Sequence, residues 1–175
     1  MKKITNISFL DEHKSFLYGE HVFFSGMLYV ARDQAHKKLV ALLKKGKKIP
    51  FNSKGQIIYY CGPTQTPPGK AIGSCGPTTS SRMDQFVEPL LKAGLIAMIG
   101  KGRRSKKVRE LIKKYKAVYF VAPAGCGAVL SRAVISKKLV AFGELGPEAI
   151  YRLEVKDFPL MVAIDSRGRS IYQDL

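Results

Sequence analysis

The chain has 175 residues, of which 46% are hydrophobic and 25% are charged, and this balance excludes a disordered or fibrous protein and predicts one globular domain over residues 1–175. Apolar runs such as residues 160–164 are too short to cross a bilayer, and no signal-peptide core follows the N-terminal lysines, so we expect a cytoplasmic protein without a membrane span. The formal charge of +17 predicts a negative partner, whether nucleic acid, an acidic chain or an anionic metabolite.

Strands and helices alternate in the first half of the chain. Residues 21–31 are rich in β-branched and aromatic types and predict a strand, after which Asp33 is a candidate N-cap for a helix to about residue 45. A second strand is predicted over 56–61. The following loop, 62–79, is dense in Gly, Pro and Thr, and loops of this length are usually functional when they are ordered.

The second half continues the alternation and then becomes strand-rich. We predict four elements after the loop: a helix over 80–93, a strand over 95–99, a helix over 105–115 and a strand over 117–121. Three more strands are predicted at residues 134–142, 149–155 and 160–165. This order indicates an α/β domain with a central mixed sheet flanked by helices.

Much of the positive charge lies in two blocks, residues 37–48 and 101–116. Nucleic-acid modules interleave basic residues with aromatic ones, and Tyr115 is the only aromatic residue in either block. Two solvated helix faces explain the blocks equally well. Charge alone therefore does not decide the class of partner.

Three basic residues occupy junctions between a predicted strand and a predicted helix: Arg32, Arg82 and Lys101. Such junctions gather at one edge of an α/β sheet, where helix N-termini direct free N–H groups outward and favour anions. Arginine binds a carboxylate with two parallel hydrogen bonds, whereas lysine acts as a compact charge. The pattern predicts a site for a small substrate with more than one carboxylate.

The densest local signal is residues 76–84, Gly-Pro-Thr-Thr-Ser-Ser-Arg-Met-Asp. Gly and Pro fix the turn, and Thr79 or Ser80 is a candidate cap of the next helix. Thr78 lies four residues before Arg82, so both side chains can face one ligand. The alternative is an ordinary capped helix with a surface arginine.

The remaining polar candidates are weaker. His36 falls in the first turn of its helix, where it either contacts a ligand or packs in the core. His13 and His21 lack the neighbours of a metal site. Asp157 and Asp165 are interpreted as turn residues at strand ends rather than a catalytic pair.

The cysteines Cys61, Cys75 and Cys126 are each followed by glycine. An odd count without Cys-x-x-Cys spacing argues against a disulfide framework. Three thiolates are enough to ligate three irons of a [4Fe–4S] cluster. The alternative is three small, partly buried residues at turns.

Several stretches together resemble the β subunit, or C-terminal domain, of class I fumarate hydratases and the related tartrate dehydratases. The similarity extends from about residue 20 to the C-terminus, and the Gly-Pro-Thr-Thr and Asp-Phe-Pro stretches are specific in combination. The stretches are Ala-Arg-Asp-Gln-Ala-His at 31–36, residues 76–84, Ile-Gly-Lys-Gly at 99–102, residues 148–150, Val-Lys-Asp-Phe-Pro at 155–159 and Asp-Ser-Arg-Gly at 165–168.

The resemblance implies a swivelling β/β/α domain that closes over a partner α subunit. In this family the partner carries the [4Fe–4S] cluster, and the three cysteines of this chain do not fall at cluster-ligand positions. By the same similarity, Arg32, Arg82 and Lys101 hold the substrate carboxylates, and Thr78 matches the threonine proposed as the base that removes the proton beside a carboxylate. The alternative role for Thr78 is to orient water or substrate. His36 and Thr79 are further candidates for substrate contact.

The leading hypothesis is therefore a hydro-lyase subunit for reversible hydration of fumarate to (S)-malate, in a hetero-oligomer such as α2β2. Dehydration of L(+)-tartrate to oxaloacetate is the alternative within the same chemistry. A basic nucleic-acid-binding module and a free-standing anion-binding domain are the alternatives from other classes. The fumarate hypothesis expects no nucleic acid and no membrane among the partners.

Overall fold

The structure is a computed structural model, and it describes residues 2–172. Seven strands occur in this range: β1 Lys2–Thr5, β2 His21–Val30, β3 Ile57–Tyr59, β4 Ala97–Gly100, β5 Val118–Val121, β6 Val134–Ala141 and β7 Ile150–Ile164. Its α-helices are α1 Asn6–Glu12, α2 Asp33–Lys44, α3 Val87–Lys92, α4 Lys106–Tyr115 and α5 Gly127–Leu130, and 3-10 helices cover Ser80–Phe86, Ser131–Ala133 and Gly143–Glu148. Within residues 2–172, every helix is too short or too polar to span a bilayer.

The strands form one mixed sheet. Strands β1 to β5 run parallel in chain order, and β7 pairs antiparallel with β5 at one end and with β2 at the other. These pairings close β2, β3, β4, β5 and β7 into a ring, with β6 antiparallel along β7. The predicted α/β class and mixed sheet are confirmed.

The central strands are buried on both faces. Ile57 and Tyr59 of β3 face a core enclosed by the strands, whereas Ile58 faces a second core under α2, α3 and α4. The same alternation places Met98 of β4 and Tyr119 of β5 on the helix side. Since parallel strands covered on both faces read as continuous apolar runs, this layering explains the short, wholly hydrophobic strand sequences.

The predicted helix over 80–93 is two helices in the structure. Pro89 lacks the N–H that would bond the carbonyl of Gln85, so a continuous α-helix is interrupted there. The α-helix begins at Val87, which places Pro89 in its first turn, where the missing N–H costs little. The preceding residues form the 3-10 helix Ser80–Phe86, which carries Arg82.

The predicted strands at 149–155 and 160–165 are one strand, β7. Asp157 has a φ of 50° and donates its N–H to Ser25 Oγ at 2.9 Å. It lies at a bulge in the pairing with β2, and a bulge bends a strand without ending it. The strand-end interpretation of Asp157 was wrong, whereas Asp165 does follow the end of β7 and accepts N–H bonds from Arg167 and Arg169.

Candidate anion-binding site

The carboxyl ends of three parallel strands bring the predicted basic residues to one edge of the sheet. Arg32 follows β2 by two residues, and Lys101 directly follows β4. The loop after β3 leads to the 3-10 helix that carries Arg82. Because β2, β3 and β4 are adjacent and parallel, these segments leave the sheet on the same side.

The guanidinium groups of Arg32 and Arg82 meet on one carboxylate, that of Asp33. Arg82 donates from Nε to Asp33 Oδ1 at 2.9 Å and from Nη2 to Oδ2, and Arg32 donates from Nε to Oδ2 at 3.2 Å. The hydrogen bond from Arg82 lowers the pKa of Asp33 to about 2, against the opposing effect of partial burial. Asp33 therefore stays ionised and offsets part of the repulsion between two neighbouring cations.

Asp33 was predicted as a helix cap, and the structure corrects this. Arg32 occupies the N-cap position of α2, without a side-chain cap, and Asp33 is the first helical residue. The carboxylate is drawn to the two arginines because charge-assisted pairs are stronger than a bond to a neutral backbone amide. Glu148 instead accepts the N–H of Gln34, at 2.9 Å.

Two residues that the sequence analysis left without a role enclose Arg32. Glu148 Oε1 lies 3.4 Å from Arg32 Nε. A Cβ on Gly62 would lie 2.8 Å from Arg32 Nη1, so only glycine permits this approach. Glu148 begins the segment 148–150 that resembles the family, and Gly62 lies in Cys-Gly-Pro-Thr at 61–64, a tetrapeptide that recurs at 75–78. Neither sequence pattern identifies Arg32 as the contact.

The backbone of Lys101 pairs with the segment that precedes Arg82. Thr79 and Lys101 form a parallel bridge, and the N–H of Ser80 donates to the carbonyl of Lys101 at 3.0 Å. In return, the N–H of Lys101 donates to Ser80 Oγ at 3.0 Å. The ammonium of Lys101 forms no ion pair with any residue from 2 to 172, so its charge is available to a ligand.

The two threonines differ in their surroundings. The N–H of Thr78 donates to the carbonyl of Tyr60 at 2.7 Å, and its side chain is half-buried, whereas Thr79 is exposed. Thr79 occupies the N-cap position of the 3-10 helix but makes no side-chain cap bond. The predicted capping by Thr79 or Ser80 was wrong, because Ser80 Oγ accepts the N–H of Lys101 instead.

His36 lies beneath the arginines. Its side chain has no exposed surface, its Nδ1 is 2.8 Å from the carbonyl O of Arg32, and its ring contacts Tyr60 and Phe86. Burial lowers the pKa of His36 to about 4, so the ring is neutral at pH 7. The ring supports Arg32 from below, and contact with a ligand would require it to become exposed.

The buried histidine predicts acid sensitivity. The unfolded chain binds a proton at His36 below about pH 6.5, whereas the folded chain resists it down to about pH 4, so stability falls as the pH falls through this window. We expect His36 to account for a loss of about 2 kcal/mol of unfolding free energy between pH 7 and pH 5. Urea unfolding at both pH values, with wild type and His36→Gln, measures it.

The matched control for this experiment is His21→Gln, at an exposed histidine of β2. We expect the unfolding free energy of His21→Gln to fall between pH 7 and pH 5 as in wild type. In His36→Gln, the part of this decrease that comes from His36 should be absent. Equal losses in wild type and His36→Gln would contradict the assignment.

The cysteines of this chain do not fit an iron–sulfur cluster. Cys61 and Cys75 are completely buried and Cys126 is exposed, whereas the sequence suggested three partly buried residues. Burial raises the pKa of Cys75 to about 11 and raises that of Cys61 further, and metals bind the thiolate rather than the thiol. Residues 2–172 contain no group of three or more His, Cys, Asp or Glu side chains that could hold a metal ion.

The fold and the site define an α/β domain with a cationic edge suited to small carboxylates. Comparison with known proteins identifies it further: the family described as "Fumarase C-terminus" matches residues 3–175. The chain belongs to this family.

Curated relatives carry the names of two related activities. The chain is 40% identical over 168 residues to a Methanocaldococcus jannaschii protein named as an L(+)-tartrate dehydratase subunit beta, covering 93% of this chain and 86% of the relative. It is 40% identical over 153 residues to the aerobic class I fumarate hydratase of Escherichia coli K12, covering 86% of this chain and 28% of that enzyme. It is 33% identical over 158 residues to the L(+)-tartrate dehydratase subunit beta of E. coli K12, covering 87% of this chain and 77% of that subunit.

Proposed function

We propose that this chain is the β subunit of an iron–sulfur hydro-lyase that reversibly hydrates fumarate to (S)-malate. The observation that carries the proposal is the convergence of Arg32 and Arg82 on Asp33, at the sheet edge where Lys101 also lies. Fumarate and malate are small dianions, and a cluster of fixed cations at strand ends offers complementary charge. The family and the names of its members agree with this chemistry.

Arg32, Arg82 and Lys101 are assigned to the substrate carboxylates. A guanidinium has five N–H donors. Asp33 accepts hydrogen bonds from Nε and Nη2 of Arg82, which leaves the remaining N–H groups of the two terminal nitrogens for a ligand. Because Asp33 fixes the plane of the group, the outer N–H groups are oriented before the substrate arrives, which reduces the entropic cost of binding. Thr79, exposed beside this cluster, is a further candidate contact.

Thr78 is assigned as the base that removes the proton next to a carboxylate. A threonine hydroxyl is a poor base unless surrounding cations lower its pKa, and the pairing of Thr79 with Lys101 keeps this segment beside a basic residue. The proton donor for the departing hydroxyl comes from the partner subunit. The [4Fe–4S] cluster is assigned to the partner subunit, as the resemblance to the family implies, and residues 2–172 of this chain contain no group of three or more His, Cys, Asp or Glu side chains that could hold a metal ion.

The layering of the domain supports a wider proposal. Strands enclose one core and helices cover the second, an arrangement compatible with a swivelling β/β/α domain over residues 1–175 that closes on a cluster-bearing α subunit. Closure of this kind excludes water and completes a site built from two chains. The assembly is proposed as a cytoplasmic hetero-oligomer such as α2β2.

Tartrate dehydration is the second candidate, and one observation supports it. The M. jannaschii relative that is named as a tartrate dehydratase β subunit is 40% identical to this chain, the same identity as the E. coli fumarate hydratase. The two substrates carry the same pair of carboxylates, so the cationic cluster serves either one.

Reconstitution with the cluster-bearing chain tests the proposal. The purified complex should hydrate fumarate, and each chain alone should be inactive, in steady-state assays with fumarate, (S)-malate and L(+)-tartrate. A strong preference for tartrate would select the second candidate, and inactivity on all three diacids would reject both. The nucleic-acid alternative predicts salt-sensitive retention of arbitrary duplexes, which we do not expect at physiological ionic strength.

A further inference from the structure

We propose that Arg104 is a positioning residue. Together with Tyr119, it fixes the 3-10 helix Ser80–Phe86, which bears Arg82, against the segment after β4, which bears Lys101. The inference rests on the proposed function, since it concerns residues assigned there to the substrate. Arg104 lies in the basic block 101–116, in which five of the six lysines are exposed. Its side chain, in contrast, has no exposed surface.

The guanidinium of Arg104 is enclosed by aromatic rings and one carboxylate. Its Cζ lies 4.9 Å from the ring centre of Tyr119 and 5.4 Å from that of Tyr60, and its Nε donates to Asp84 Oδ1 at 2.7 Å. A buried ion pair is a weak source of stability, because desolvation offsets the attraction. We therefore assign to this pair a role in fixing the geometry of its neighbours rather than in stability.

Asp84 connects Arg104 to the 3-10 helix Ser80–Phe86, which carries Arg82. Asp84 lies in this helix two residues after Arg82. Its second oxygen, Oδ2, accepts the N–H of Ser105 at 2.8 Å, immediately before α4. The Asp84 carboxylate therefore joins this 3-10 helix to the side chain of Arg104 and to the backbone N–H of Ser105.

Tyr119 connects the same group to Lys101. Its hydroxyl lies 2.9 Å from Ser80 Oγ and 2.9 Å from the carbonyl O of Gly102. Ser80 Oγ in turn accepts the N–H of Lys101. The Tyr119 hydroxyl therefore contacts the carbonyl of Gly102 directly and the N–H of Lys101 through Ser80 Oγ. The ring of Tyr119 contacts Arg104.

The network also reaches the proposed base. The ring of Tyr60 contacts Arg104 on the helix side of the sheet and the ring of His36, and its carbonyl accepts the N–H of Thr78. Small displacements of substrate-holding groups cost large factors in rate, about 100-fold for a shift of about 1 Å. A buried frame beneath the cationic cluster is therefore expected to affect catalysis without touching the substrate.

Two variants test this inference in the complex with the partner subunit. Arg104→Lys keeps the charge but loses the planar group between the rings, and we expect kcat/KM for fumarate to fall about 10- to 100-fold. Tyr119→Phe removes only the hydroxyl and should lower kcat/KM about 2- to 10-fold. Arg103→Lys, at the exposed neighbouring arginine, is the matched control and should stay within twofold of wild type.

Amide hydrogen exchange in the full-length chain gives a readout that does not depend on activity. We expect the N–H of Lys101 to exchange about tenfold faster in Arg104→Lys and in Tyr119→Phe than in wild type or Arg103→Lys. If Arg104→Lys fails to fold, Tyr119→Phe alone decides the outcome. Variants with wild-type kcat/KM and unchanged exchange would overturn the inference, whereas an inactive wild-type complex with faster exchange in the variants would reject only the proposed function.

Discussion

Replacing Arg82 by alanine should lower kcat/KM of the reconstituted complex for fumarate by about 10²- to 10⁴-fold. In the proposed site, the substitution would remove two charge-assisted hydrogen bonds to a substrate carboxylate, worth about 3–5 kcal/mol together. The fold and subunit association should survive, because the Arg82 side chain is 46% exposed and Asp33 retains its contact with Arg32. Steady-state kinetics and the melting temperature of the complex measure both expectations.

Arg82→Lys separates charge from geometry at the same position. It retains the charge but not the fork of parallel donors, so we expect an intermediate loss. Arg167→Ala, an exposed arginine after β7, is the control for the loss of one surface charge and should leave the rate unchanged. Near-normal activity of Arg82→Ala in an intact complex would show that the site is assigned wrongly.

Replacing Thr78 by valine should lower kcat about 10²- to 10⁴-fold, the usual contribution of a general base, with little change in KM. Valine keeps the shape of the side chain and leaves the backbone bond from Thr78 to Tyr60 in place. The same substitution should abolish exchange of the malate carbon-bound proton with solvent deuterium, because the base that removes this proton also returns it. Nuclear magnetic resonance of malate in heavy water follows the exchange.

Thr78→Ser retains the hydroxyl and should keep most of the activity, and Ser81→Ala, at an exposed hydroxyl of the same segment, should behave as wild type. Slow turnover of Thr78→Val with proton exchange intact would assign Thr78 to orienting the substrate and place the base elsewhere.

Apolar patterning predicted most elements of the fold because the central strands β3, β4 and β5 are continuous apolar runs and the helices α2 and α4 each bury one apolar face. It missed β1 and α1, which are marked by a capping box between Thr5 and Ser8 rather than by a long apolar pattern. The sequence pattern also divided β7 at Asp157, because an aspartate followed closely by Pro159 is typical of a turn. The bulge is decided by pairing with β2, which lies far away in the sequence.

In the site, too, some features follow from the local sequence and others depend on contacts between distant segments. Arg32, Arg82 and Lys101 were predictable as a set because strand ends in a parallel sheet share an edge. The carboxylate that joins the two arginines was not, since Asp33 has the local pattern of a helix cap. Arg104 was hidden within a basic block, and only the tertiary structure separates this buried guanidinium from the solvated lysines around it.

A crystal structure of the reconstituted complex with bound (S)-malate tests the central claim most directly. We expect malate carboxylate oxygens within about 3 Å of guanidinium nitrogens of Arg32 and Arg82 and of the Lys101 ammonium. Malate held entirely by the partner subunit, with these three side chains more than about 6 Å away, would contradict the proposed role of this chain.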